Sequence, residues 1–277
     1  MEEILHAVDE RRRSFGKRVK LAYSDRGDGL PVVWIHGLPH NRSLWANQLD
    51  AVGDGVRSIA PDLRGFGDSP AEAPYSIDRY ADDIAELLDG LAVPAAVIGG
   101  ISMGGHICFA FWRRYRRRVL GLILADTRAG TDDEAAKNRR RSLIALARDK
   151  GAAAVADAQI IGMLGATTRK TRPDLVASTH SMLASAPVGG IIGALEAMMN
   201  RADSTSTLAT IDVPTLVIGG KEDALTQIKE VRGLHQAIAD SDLVVIPRAG
   251  HLPNIEQPEA FNAAVRSFLV RVQDLAA

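Results

Sequence analysis

A serine, an acid and a histidine, met in that order along this 277-residue chain, are the residues whose types and spacing could do chemistry. Ser102 lies in Gly100-Ile101-Ser102-Met103-Gly104, behind the apolar run Pro94-Ala95-Ala96-Val97-Ile98-Gly99 and ahead of Gly105-His106-Ile107-Cys108-Phe109-Ala110. That succession reads as strand, sharp turn, helix. Small residues flanking a serine let the chain reverse tightly and leave the hydroxyl exposed at a sheet edge, which is where a nucleophile has to be. The pentapeptide is common enough to arise by accident, so its meaning depends on what else the chain supplies. A serine hydroxyl attacks a carbonyl only with a base in hydrogen-bond reach and a third group to orient that base.

His251 is the candidate base, in Gly250-His251 just after the apolar run Leu243–Ile246. The other histidines read differently. His6 lies in a polar N-terminus, His180 and His235 fall in helical patterns with surface roles, and His106 follows Ser102 by four residues on the same helix. His40 is near a front loop where it could line a pocket, and His36 in His36-Gly37-Leu38-Pro39 reads as a brace for that loop. Asp223 is favoured as the acid, because it lies beyond the Gly219-Gly220 turn and leads into a helix. Two other acids stay open: Asp126, ending the run Leu122-Ile123-Leu124-Ala125, and Glu222 beside Asp223. Acyl transfer also needs two N–H donors for the oxygen that becomes negative. Met103, directly after the serine, offers one; the loop after Val32–Ile35 offers the other through Leu38, since Pro39 has no N–H.

These loops need a scaffold that brings strand ends together. Short apolar runs bounded by Gly, Pro or Asp at Pro31–Ile35, Val56–Ala60, Ala95–Gly99, Val119–Ala125, Thr215–Ile218 and Leu243–Ile246 read as buried strands, with an edge strand over Phe15–Asp25. Ser76–Leu91 repeats apolar residues on one helical face, with Ser76 or Asp78 to cap it. Strands joined by helices build a parallel sheet covered on both sides, with the ligand crevice at the carboxyl ends of the strands. Between Asp126 and Ile211 the alternation lapses into helical segments near Asp132–Lys150, Ala152–Leu164, Pro173–Ala186 and Gly189–Arg201, broken at Gly151, Gly165 and Gly189-Gly190. They read as a helical cap inserted into one α/β core.

Lys and Arg number 33 against 34 Asp and Glu, for a net charge of −1, which gives no overall attraction to nucleic acid or an anionic membrane. The clusters Arg11-Arg12-Arg13, Arg113-Arg114 with Arg116-Arg117-Arg118, and Arg139-Arg140-Arg141 read as solvated faces among acidic neighbours. The single cysteine, Cys108, cannot form an internal disulfide and reads as a small buried apolar residue in a reducing compartment. Met1–Arg13 has no apolar core, and no window reaches the ~18 apolar residues of a membrane span, so a soluble, cytoplasmic protein is expected. No metal and no cofactor is expected. The expected partner is a small molecule with an apolar portion, with a homo-oligomer left open. Met163, Leu164, Met182, Leu183, Ile191, Ile192, Leu195, Met198 and Met199 supply the apolar face of the cap; Arg169, Lys170 and Arg172 could meet a substrate carboxylate but read first as surface charge.

The motifs His36-Gly37-Leu38-Pro39, Asp62-Leu63-Arg64-Gly65-Phe66-Gly67-Asp68-Ser69, Gly100–Gly105, Gly220-Lys221-Glu222-Asp223 and Gly250-His251 together resemble the ordered signatures of the α/β-hydrolase superfamily. Ser102-Met103-Gly104-Gly105 and Leu124-Ala125-Asp126-Thr127-Arg128 are similar to its branch of capped carboxylesterases, 3-oxoadipate enol-lactonases and cofactor-free perhydrolases. The resemblance implies an α/β-hydrolase fold, a mostly parallel central sheet flanked by helices, with a helical cap inserted after the sixth strand. Residues 1–126 and 211–277 would form the core and 127–210 the cap. It implies Ser102 as nucleophile, His251 as base, Asp223 as its orienter, with Asp126 the alternative acid, and Leu38 and Met103 as backbone donors. The activity implied is hydrolysis of small carboxylic esters, lactones included, through an acyl-enzyme. Carbon–carbon bond hydrolysis, perhydrolysis or hydroxynitrile cleavage on the same triad, and a non-hydrolysing ligand receptor, remain alternatives. Serine at position 102 argues against the dehalogenase and epoxide-hydrolase branches, which place aspartate there.

Overall fold

The computed structural model describes residues 20–276. Among the described residues seven strands form one sheet: β1 (Tyr23–Arg26), β2 (Leu30–Ile35), β3 (Val56–Pro61), β4 (Ala96–Ile101), β5 (Val119–Ala125), β6 (Thr215–Gly220) and β7 (Ser241–Ile246), in the order β1-β3-β2-β4-β5-β6-β7. Only the edge pair β1 and β3 runs antiparallel. Each predicted strand is present, some longer at their ends; the edge strand occupies Tyr23–Arg26, and the start of its predicted span, with His6 and the Arg11-Arg12-Arg13 cluster, lies outside the described residues.

The strands are apolar along their whole length because both sheet faces are covered, as a parallel sheet requires. Val33, Ile35, Ile98, Leu122 and Leu124 point to one face, where they pack with Tyr80, Ile84 and Leu88 of α1 (Ile77–Gly90) and Ile107 and Phe111 of α2 (Met103–Tyr115). Val32, Trp34, Val97, Ile123 and Ile218 point to the other, against Phe261, Val265, Phe268 and Leu269 of the last helix. Ser76 caps α1, its hydroxyl accepting from the Arg79 N–H at 3.0 Å, while Asp78 lies in the first turn.

The register matters most for the site. Ile35 pairs with Gly100, Ile101 with Ala125, Ala125 with Ile218, and Gly220 with Ile246. The carboxyl ends of β2, β4, β5, β6 and β7 are therefore level, and the loops that follow them share one edge.

Among the described residues the helical insertion follows the fifth strand, β5, and not a sixth. It contains α3 (Glu134–Met163), α4 (Ala166–Thr171), α5 (Pro173–Ala184) and α6 (Val188–Met199), then a turn of helix at Thr205–Leu208. Gly151 interrupts α3 with φ 77° and ψ −174°, where the sequence places the break between its first two helical segments. Helix α4 was not expected; its Thr-rich, polar sequence carries no apolar periodicity. Among the described residues no single helix is long and apolar enough to cross a membrane.

Of the arginines at 113–118, three pair closely with acids of neighbouring elements: Arg114 with Asp82, Arg116 with Asp212 and Arg118 with Asp89. The Arg139–Arg141 cluster is less simply a solvated face, since Arg140 pairs with buried Asp132.

Candidate active site

Ser102 sits alone between β4 and α2, with φ 56° and ψ −115°. A non-glycine residue held there costs about 1–3 kcal/mol and persists only when its surroundings enforce it. Two contacts enforce it: the Ser102 N–H donates to the Ala125 carbonyl at 2.9 Å, and the Thr127 hydroxyl donates to the Ser102 carbonyl at 2.8 Å. The flanking glycines have a steric cause. A Cβ on Gly100 would lie 2.4 Å from the Gly104 carbonyl, and one on Gly104 would lie 2.3 Å from the Ile35 carbonyl oxygen. The turn can be this tight, and α2 this close to β2, only with hydrogens at both positions.

The loop after β2 passes over the serine, a Cβ on Gly37 falling 3.2 Å from Ser102 Cβ. His36 braces that loop. Its Nδ1–H donates to the Gly37 carbonyl at 2.8 Å and its Nε2 accepts from the Leu63 N–H at 3.0 Å, an arrangement that requires the neutral ring. Burial lowers its pKa to about 4. His40 is also buried and pushed down to about 3, by burial and then by the nearby His36 and His251; it does not line the cavity.

At the β7 end, His251 Nδ1 lies 2.7 Å from Asp223 Oδ2. Both side chains are withdrawn from solvent. The other oxygen, Asp223 Oδ1, accepts the N–H groups of Leu225 at 2.7 Å and Thr226 at 3.0 Å. Burial works to raise the Asp223 pKa, but the imidazole and these donors outweigh it and hold the carboxyl below its ordinary value. Of the two rival acids, Glu222 turns away to bind the Thr167 hydroxyl at 2.6 Å and N–H at 2.8 Å. Asp126 lies close by, fully buried, its Oδ1 accepting the Gly220 N–H at 2.8 Å. Burial, and then the charge of Asp223, push its pKa well up.

Glu256 is a site-building residue that the sequence reading missed. Its buried carboxylate gathers the N–H groups of Gly165, Gly250 and Leu252 at 2.8, 2.8 and 3.2 Å, so it clasps the His251 loop to the end of α3. The signal was available, in that an acid follows His251 by five residues, but nothing in the sequence says that it is buried.

Ser102 and His251 open on one cavity of about 710 Å³, together with Leu38 and Met103. Leu143, Leu146, Met163 and Met198 from the insertion give it an apolar wall. Of the apolar residues that the sequence assigns to the insertion, Met163 and Met198 reach the cavity; Leu183, Ile191 and Leu195 instead pack in the core. Arg169, Lys170 and Arg172 stand on or beside α4, exposed and away from the cavity, Arg172 pairing with Asp174. The cationic residues that do line it are Arg128, Arg139 and Arg140. His106 also lines it, one turn into α2 from Ser102, its pKa well down through burial and then through Arg201 and Arg140. Cys108, on the same helix, is buried in the core, its Sγ 3.7 Å from the Ile98 carbonyl.

Asp126, Asp223 and His251 are also the one group among the described residues whose oxygen and nitrogen atoms, all within 4.8 Å, are close enough to hold a cation. Within this group His251 Nδ1 and Asp223 Oδ2 are already engaged with each other at 2.7 Å.

A thermophilic esterase from Thermogutta terrifontis, solved with malate bound, superimposes with a TM-score of 0.89 at 40% identity, covering 92% of this chain and 94% of that one. The enol-lactonase from Burkholderia xenovorans LB400 superimposes with a TM-score of 0.85 at 30% identity, over 91% of this chain and 97% of that one. In sequence, 3-oxoadipate enol-lactonase 2 of Acinetobacter baylyi is 31% identical over 256 residues, 91% of this chain and 94% of that protein. Residues 32–264 match the alpha/beta hydrolase family, and the chain belongs to it.

Proposed function

We propose that this chain is a serine hydrolase of small carboxylic esters, lactones included, working through an acyl-enzyme. The observation that carries the proposal is that two arrangements line one cavity: Ser102 on its left-handed turn, and His251 with its Nδ1 held by Asp223. In this reading His251 Nε2 takes the Ser102 proton as Oγ attacks the ester carbonyl, and returns it to the leaving alcohol. Asp223 holds the ring so that Nε2 faces the serine, and stabilises the imidazolium that forms. The Leu38 and Met103 N–H groups receive the oxyanion. Water then enters and repeats the sequence on the acyl-enzyme. A lactone follows the same course, its leaving alcohol staying tethered to the acyl group; the enol-lactonase relatives support including it.

The helices of residues 127–210 act as a cap over the core formed by the described residues on either side of them, 20–126 and 211–276. The apolar wall built by Leu143, Leu146, Met163 and Met198 suits an ester with an apolar portion.

A panel of short p-nitrophenyl esters and aliphatic lactones tests the proposal. The native protein should turn over members of it, and Ser102→Ala should lose turnover by at least about 10³-fold while keeping its thermal transition. Equal activity in Ser102→Ala would refute it.

A further inference from the structure

Asp126 is the buried titratable group that the proposed mechanism leaves without work. It follows β5 directly, with φ 42°, in the left-handed region that disfavours a side chain. Its own carbonyl accepts the Thr226 hydroxyl at 3.1 Å, and its Oδ1 accepts the Gly220 N–H. No N–H or hydroxyl of the described residues reaches Oδ2, which is buried without a hydrogen-bond partner. A buried carboxylate oxygen left bare in this way is costly, and native structures rarely tolerate it.

The neighbours explain how it is tolerated. One ligand-type atom from each of Asp126, Asp223 and His251 lies within 4.8 Å of the other two. Two buried carboxyls this close cannot both stay ionised beside a neutral imidazole, so the pair shares one negative charge and one proton. The hydrogen bonds decide where each resides. Asp223 accepts two backbone N–H groups and the imidazole N–H, whereas Asp126 accepts a single N–H. The charge therefore stays on Asp223. From the β7 side Glu256 adds a further negative charge that opposes ionisation of Asp126.

We propose that Asp126 holds a proton on Oδ2 at neutral pH and donates it to the Asp223 carboxylate, so that it is a positioning residue for the Asp223–His251 pair. The O–H fills the lone pair of Asp223 that the imidazole leaves free, and fixes the carboxylate plane against Nδ1. Because Asp126 adds no second negative charge, a single carboxylate, that of Asp223, faces the imidazole of His251. This inference rests on the ester-hydrolase reading for its catalytic consequence, but not for the proton itself.

Two measurements on the full-length protein separate these. Infrared spectra near neutral pH, with ¹³C-labelled aspartate to exclude Glu256, should show the C=O stretch of one neutral aspartic acid, absent from Asp126→Asn. Should Asp126→Asn fail to fold, the labelled native protein alone decides, since the absence of any neutral aspartic acid overturns the proposal. In ester turnover, Asp126→Ala should lose at least about tenfold in kcat, and Asp126→Asn, which keeps the shape and an N–H donor, should recover most of that loss with the acid limb of kcat/KM in place. If Asp126 were ionised, the Asn variant would remove a charge beside the imidazolium and shift that limb down by about one unit or more. Such a shift, a neutral-acid band that survives in Asp126→Asn, or equal activity in the Ala and Asn variants overturns the proposal. Loss of ester turnover in the native protein, with the band present, would instead refute the hydrolase reading alone.

Discussion

His251 Nδ1 and Asp223 Oδ2 stand 2.7 Å apart although 28 positions separate the two residues, because β6 and β7 pair in register and end level with each other. The contact leaves Nε2 as the free nitrogen of the ring. An amide at position 223 would present an N–H to Nδ1 about as readily as a carbonyl, and so would favour the wrong tautomer. Asp223→Asn should therefore lower kcat by roughly 10³- to 10⁴-fold with little change in KM. Steady-state kinetics on one p-nitrophenyl ester checks this, and a loss below about tenfold would move the role of the orienting acid elsewhere.

Three buried histidines make the fold sensitive to acid. Burial lowers the pKa of His36 to about 4 and of His40 to about 3, and sets His106 well below its ordinary value. The unfolded chain binds protons on these groups below pH ~6.5 and the folded chain refuses them, so the stability they contribute is complete above that pH. It is lost as pH falls from there toward the folded values. Asp126 and Glu256 act in the opposite sense, since their raised pKa values favour the folded state at low pH, but they are two groups against three. Unfolding between about pH 6 and pH 4.5 should take up at least about one net proton, roughly 1.4 kcal/mol per pH unit. Calorimetric melts across that range should show Tm falling with pH, and a level or rising Tm would contradict the neutral histidines.

Gly104→Ala should damage both stability and turnover. Its methyl group would lie 2.3 Å from the Ile35 carbonyl oxygen, pressing α2 off β2 just where the turn presents Ser102. Overpacking of this kind costs about 1–3 kcal/mol. Gly90→Ala, at the end of α1 with nothing within 4 Å of the new methyl, should be neutral or slightly stabilising. Thermal melts of the two variants side by side provide the check, and equal Tm values would contradict the close packing of the turn.

Arg139 lines the cavity, is itself exposed, and has no acidic partner among the described residues, whereas Arg128 and Arg140 both pair with Asp132. Its charge is free to act on a substrate at the mouth. Arg139→Gln should lower the kcat/KM of p-nitrophenyl hemisuccinate relative to the butyrate by about two- to fivefold, as expected of a partly solvated charge pair. Added salt should shrink the difference. An unchanged ratio would mean that Arg139 does not meet the substrate.

Most of the sheet was legible in the sequence because its strands are buried on both faces and stand as unbroken apolar runs, such as Val119–Ala125, whose ends the structure reproduces. Ser102, Asp223 and His251 were legible because each follows such a run, so that the strand ends alone place them together. The residues that were not legible depend on contacts distant in sequence. Glu256 becomes a site residue only because Gly165 arrives beside Gly250, and His106 enters the cavity because its helix faces the insertion. Arg139 and Arg169 are indistinguishable as sequence; the path of α3 and α4 brings one to the cavity and leaves the other outside.

The central claim is that Ser102 is the nucleophile activated by His251, and covalent capture tests it most directly. Incubation of the native protein with a fluorophosphonate, followed by intact-mass and peptide mass spectrometry, should give one adduct per chain, on Ser102. Ser102→Ala should not label, and His251→Ala should label at least about 10²-fold more slowly. No adduct on the native protein, or an adduct mapped to any other residue, would contradict the account.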